Sequence, residues 1–164
     1  MRTLLRALIF LLLILWIGGM LFFPIVAATA FGSLPDAHLA GTVTGKCLRI
    51  LHQEGLISGV LLLILLAAAQ RVRAFSHNVI APMVLVAVMI GLTAYSQFVI
   101  IPHMETDRIS AGGAIEAASP ANPYRKDFDR LHALSVNVFG GVLICGLVSA
   151  VAIAWASGSK SPAA

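Results

Sequence analysis

Charged side chains are scarce in this chain: they make up 11% of its 164 residues, against about 25% in an ordinary water-soluble domain. So few charges argue against a soluble enzyme, and against a nucleic-acid partner even though the isoelectric point is near 9.6. Cysteine is nearly missing too. Cys47 and Cys145 each sit in an apolar stretch, which leaves no basis for a disulfide framework or a CxxC zinc site. No nucleophile–base pair, phosphate loop, HExxH helix or dinucleotide-binding glycine pattern occurs. Ser135 follows His132 by three residues, but no orienting acid or oxyanion donor accompanies them. The expectation is a protein that is not an enzyme.

What is abundant is apolar: 59% of the residues are hydrophobic, and the mean hydropathy is +0.95. Residues 7–30 carry no charge over 24 positions, or about 36 Å of helix against about 30 Å of hydrocarbon. Further spans are expected near 48–70, 79–101 and 131–156. The second draws on a polar stretch holding Arg49, His52, Gln53 and Glu54, because 56–69 alone is too short to cross. The expected architecture is all-α, a polytopic membrane protein built as one four-transmembrane-helix bundle over 1–164. A loop is expected over 102–126 and a flexible polar tail over 157–164. Arg2, Arg6 and the small residues Ala28-Thr29-Ala30 also suggest a signal peptide. Because the apolar run exceeds the usual 7–15 residues, a retained helix is expected instead.

The charges also orient the helices. With the N-terminus in the cytoplasm, Arg2, Arg6, Arg71, Arg73 and Lys160 fall on that side with no acid, while all seven acids fall on the other. The short Arg71-Val72-Arg73 turn is a positive-inside signal. Both termini are therefore expected in the cytoplasm of a cell bounded by this plasma or bacterial inner membrane.

Helical rise places His52, Gln97 and Asn137 about 27–30 Å from the cytoplasmic ends of their helices. Arg49, Glu54, His132 and Ser135 fall in the same outer band. One reading is an interfacial band of wet charges; another is an outward-facing polar pocket between the second, third and fourth helices that binds or moves a small solute. In the second reading Arg49 and Glu54 form a charge pair, and His52 with His132 could ligate a soft metal ion or a b-type haem. No cofactor is identified by the residues themselves. Deeper, Ala133, Asn137, Gly141, Cys145 and Ser149 repeat every four residues, a seam of small side chains with Gly18, Gly19 and Gly91 as expected counterparts. Such a seam also suits an accessory or assembly subunit of a larger membrane complex. Because four helices are few for alternating access, transport would require a homo-oligomer.

Several stretches carry a family resemblance: Trp16-Ile17-Gly18-Gly19-Met20 with Phe22, Phe31-Gly32-Ser33-Leu34-Pro35, Ile101-Pro102 followed by Arg108, and Phe128-Asp129-Arg130-Leu131-His132-Ala133-Leu134-Ser135. Together they resemble the small four-helix membrane family that includes transmembrane protein 205. The Trp-Gly-Gly opening is also similar to the first helix of the copper-resistance D membrane domains. The resemblance implies a four-helix fold, and the human member has been linked to platinum-drug resistance. If the family shares a site, the positions matching its motifs are Trp16, Pro102, Arg108, Phe128, His132 and Ser135.

Overall fold

A computed structural model describes residues 2–158. Among them there is no strand, and four helical rods are long and apolar enough to cross a membrane. Helix α1 spans Arg2–Ser33 and α2 spans Ala37–Arg71. The third rod is composite: α3 (Ile80–Tyr95), a π-helical turn (Ser96–Ile100) and α4 (Ile101–Ser110). Helix α5 runs Pro123–Ser157. This is an integral membrane protein with an all-α bundle.

The rods overrun the expected spans. Because an α-helix satisfies its own backbone in lipid and in water alike, polar turns at its ends continue it. Helix α2 thus begins at Ala37, where the Asp36 carboxylate accepts from Leu39 N at 2.6 Å, a side-chain cap for an otherwise orphaned donor. Helix α5 begins at Pro123, capped by Asn122 accepting from Tyr124 N at 2.9 Å; proline at the first helical position has no N–H to satisfy. The loop expected over 102–126 shrinks to 111–122, with a short 3-10 turn at Ile115–Ala117. Of the expected tail, Ser157 closes α5, and residues 159–164 lie outside the described residues.

The helices pack as a ring, α1 on α2, α2 on α3, α3 on α5 and α5 on α1. One end gathers the start of α1, the α2–α3 turn and the end of α5. There Arg6 Nε donates to Ala74 O, Ser76 N donates to Ala156 O, and the His77 and Trp155 rings stack at 4.0 Å. We call this the terminal end and its opposite the loop end. The buried core fills the terminal half, with Ile9, Leu13 and Trp16 against Leu62, Leu66, Val86, Met89 and Ile153. Leu11, Ile14, Ile64, Val84, Ile144 and Val151 point outward, the apolar belt that a bilayer solvates.

Close approach of α1 and α2 depends on two glycines. The Trp16 indole is 1% exposed and lies in a slot cut into α2. A Cβ on Gly55 would overlap the indole nitrogen and come 2.6 Å from Cε2, and one on Gly59 would come 2.8 Å from Cζ3. Gly55-x-x-x-Gly59 is therefore the small-residue seam of the bundle. Elsewhere, Gly19 approaches Leu51 and Gly146 approaches Ile17 and Met89.

The expected seam is distributed differently. Gly18 and Gly91 face open space, and Gly141 meets only Leu92 at an ordinary 3.6 Å. An exact four-residue repeat advances about 40° per step on a 3.6-residue helix. From Ala133 to Ser149 it winds from an exposed face to a buried one, with Cys145 half-buried on the way. The inward stripe of α5 is instead Leu131, Ser135, Val142, Gly146, Ser149 and Ile153.

Candidate functional site

Where the third rod reaches the loop end it changes direction of facing. In the π turn the Ile101 N–H reaches back to Ser96 O, five residues rather than four, so one extra residue is wound in. Pro102 follows immediately; it lacks an N–H, and in a regular helix its ring would press on the carbonyl four residues back. A widened turn just before it relieves that conflict. The extra residue also explains why the neighbours Ile100 and Ile101 are both buried, an arrangement unusual on one helical face. Beyond the turn, α4 packs against α5 rather than α2. The apolar portion 80–101 already exceeds the roughly 20 residues needed to cross, so α4 continues past the hydrocarbon.

The result is a cleft of about 780 Å³ at the loop end, between the α1–α2 hairpin and the α4–α5 hairpin. Its lining falls on helical stripes. Helix α1 contributes Phe23, Pro24, Ala27 and Phe31, and α5 contributes Phe128, His132, Ser135, Val136 and Phe139. Helix α2 contributes His38, Gly41, Thr42, Gly45, Lys46 and Arg49, and α4 contributes Ile101, Met104, Glu105 and Arg108. The i, i+3, i+4 spacing within each helix sets these residues on one face. Ile115 and Glu116 complete the wall. Gly41 and Gly45 have nothing within 4 Å of a built Cβ, so these glycines open space instead of admitting a neighbouring helix.

Two arginines tie down the 111–122 connection. Arg108 donates to both Glu105 carboxylate oxygens, from Nε at 3.0 Å and Nη2 at 2.6 Å, and to Gly113 O from Nη1 at 3.0 Å. This fork holds the Glu105 carboxyl below its ordinary range, against a smaller opposing effect of burial. Gly112 and Gly113 have φ of 101° and 95°, left-handed values that end α4 and that side chains resist. Arg125 Nη1 donates to the carbonyls of Glu116 and Ala118. Nearby, burial raises the Asp107 carboxyl above its usual range, and the charge of Asp127 raises it further.

The expected pocket residues divide between two places. Arg49, His132 and Ser135 line the cleft, as do the motif positions Arg108 and Phe128. His52 is instead buried in the helical interior, its Nδ1 3.3 Å from Gln97 Oε1. It borders a void of about 10 Å³ together with Trp16, Thr93, Ser96 and Phe139, a volume of about one water molecule. Phe139 lines both spaces. The two histidines are thus not brought to a common site, and among the described residues no group of three His, Cys, Asp or Glu side chains gathers around an ion position.

Arg49 and Glu54 do not pair either. Five residues apart on a helix, they diverge by about 140°; Glu54 Oε1 accepts from Ser58 Oγ at 2.6 Å, and its Oε2 is buried without a partner. Asn137 is exposed, two residues off the cleft stripe that holds Ser135. What the sequence reading missed is the contribution of α1 and of His38, Lys46 and Glu105. Their signal was present as the apolar stripe Phe23, Ala27, Phe31 and the glycine spacing Gly41-x-x-x-Gly45.

A profile of related sequences matches residues 11–108 and is described as a domain of unknown function, DUF4149. The chain belongs to the DUF4149 family. The DUF4149 match runs from the first turns of α1 to the end of α4, so it includes Trp16, its glycine slot and the turn around Pro102. It stops before α5, which carries His132 and Ser135. No curated protein and no solved structure matches the chain.

Proposed function

We propose that this DUF4149 protein binds a small solute in the cleft between its two hairpins, as a binding or carrier protein rather than an enzyme. The observation that carries this reading is the cleft itself: about 780 Å³, within the roughly 300–1,000 Å³ range of small-molecule sites, in a bundle whose other half is filled. Apolar walls with a few convergent polar groups are the usual composition of such sites. The terminal end carries Arg2, Arg6, Arg71 and Arg73 with no acidic residue, and its short Arg71-Val72-Arg73 turn is a positive-inside signal for the cytoplasm, so in this reading the cleft opens outward. The resemblance to transmembrane protein 205-like proteins supports the same compact four-helix architecture. A soft metal or haem is a weaker occupant, since His52 and His132 serve different spaces.

The test uses occlusion. Gly45→Leu places a side chain in the cleft where a Cβ meets nothing, so the fold should persist. Native mass spectrometry of the purified chain should show retained small molecules that Gly45→Leu loses. If the wild-type chain carries no small molecule but a stoichiometric companion chain, the accessory-subunit reading replaces this one.

A further inference from the structure

We infer that the cleft takes a single-chain amphiphile with an anionic head, a carboxylate or phosphate on an alkyl tail. This rests on the binding reading above and deepens it. Two cations, Lys46 and Arg49, stand one helical turn apart on the cleft face of α2. Neither has an ion-pair partner among the described residues, whose ion pairs are Arg108 with Glu105 and Arg130 with Asp127. Two carboxylates, Glu105 and Glu116, also line the cleft, against three cations, Lys46, Arg49 and Arg108; the Arg108 fork takes both Glu105 oxygens, so the lining stays net positive.

Depth agrees with an amphiphile. Counting from Arg71 at the terminal end, Arg49 and Lys46 lie 22 and 25 residues along α2, about 33 and 37 Å, beyond the roughly 30 Å hydrocarbon core and among the headgroups. The aromatic walls lie lower: Phe139 faces Phe23 at 5.7 Å and borders the filled interior. A head held by Lys46 and Arg49 thus directs its tail down onto Phe23 and Phe139. A free anion would leave those walls unused, and a cationic amphiphile would meet two unpaired like charges.

The full chain in phosphatidylcholine nanodiscs is titrated with a fluorescent dodecyl carboxylate, with the matching dodecyl alcohol and trimethylammonium probes, and with empty discs as reference. The carboxylate is expected to bind at least tenfold more tightly than the alcohol. Lys46→Gln and Arg49→Gln should each weaken the carboxylate about tenfold and leave the alcohol unchanged, whereas Gly45→Leu should weaken both. Equal binding of all three probes, still sensitive to Gly45→Leu, would overturn the charge preference and leave the cleft reading standing. No probe binding above empty discs would overturn both. Displacement by inorganic phosphate, with a short-chain carboxylate binding as well as the long one, would replace the amphiphile with a free anion.

Discussion

Replacing Gly55 with alanine adds one methyl group at a position where the α1–α2 contact has no room for it. The new Cβ would overlap Trp16 Nε1 and stand 2.6 Å from Cε2, whereas non-bonded carbons settle at about 3.5–4.0 Å. The indole is buried on all sides, so it must shift by about 1 Å or the helices must part. Overpacking of this kind costs about 1–3 kcal/mol. Alanine for glycine in a helix returns about 1 kcal/mol, and the net expectation is a loss of up to about 2 kcal/mol. Gly91→Ala supplies the control: its Cβ meets nothing, so only the gain remains. Unfolding equilibria in bicelles, measured in the wild-type and Trp16→Leu backgrounds, separate the two contributions. In the Trp16→Leu background the clash is gone and Gly55→Ala should become neutral or stabilising. An equal effect of Gly55→Ala in both backgrounds would refute the slot.

Gln97→Leu removes the one side chain bonded to buried His52 and should destabilise the purified protein by about 1–3 kcal/mol, read as a lower melting temperature in detergent; an unchanged value would mean that the pair is idle. Arg108→Lys keeps the charge but not the fork, and amide exchange over 111–118 should speed about fivefold. A matching loss of protection, measured against the intrinsic exchange rate at each pH, should appear in the wild-type chain on acidification: the folded Glu105 pKa is depressed, so its contribution is full above the ordinary glutamate value of about 4.3 and is lost as pH falls through the lower folded value. Loop protection factors that stay constant from pH 6 to 3 would exclude this role. For orientation, Ser119→Cys should react with an impermeant maleimide on intact cells and Ser76→Cys only after permeabilisation, both in a Cys47→Ser, Cys145→Ser background; the reverse pattern would invert the topology.

Four helices follow from the sequence alone, because an uncharged stretch such as 7–30 has few places to go except a bilayer, and in a bilayer the backbone must form a helix. The polar band followed as well, since helical rise converts residue count directly into depth. Rotation about each helix axis was less accessible. At 100° per residue, Arg49 and Glu54 part company, Asn137 leaves the face of Ser135, and the small-residue repeat of α5 winds away from the core. Gly55-x-x-x-Gly59 was visible as a motif, but so was Gly41-x-x-x-Gly45; only the position of Trp16 distinguishes a glycine pair that admits a neighbour from one that leaves a cavity. The turn before Pro102 matters most. One extra residue there sets both Ile100 and Ile101 inward and turns α4 toward α5. The cleft exists because of how two hairpins diverge, and that divergence is a property of packing among distant segments, which no local pattern of residues specifies.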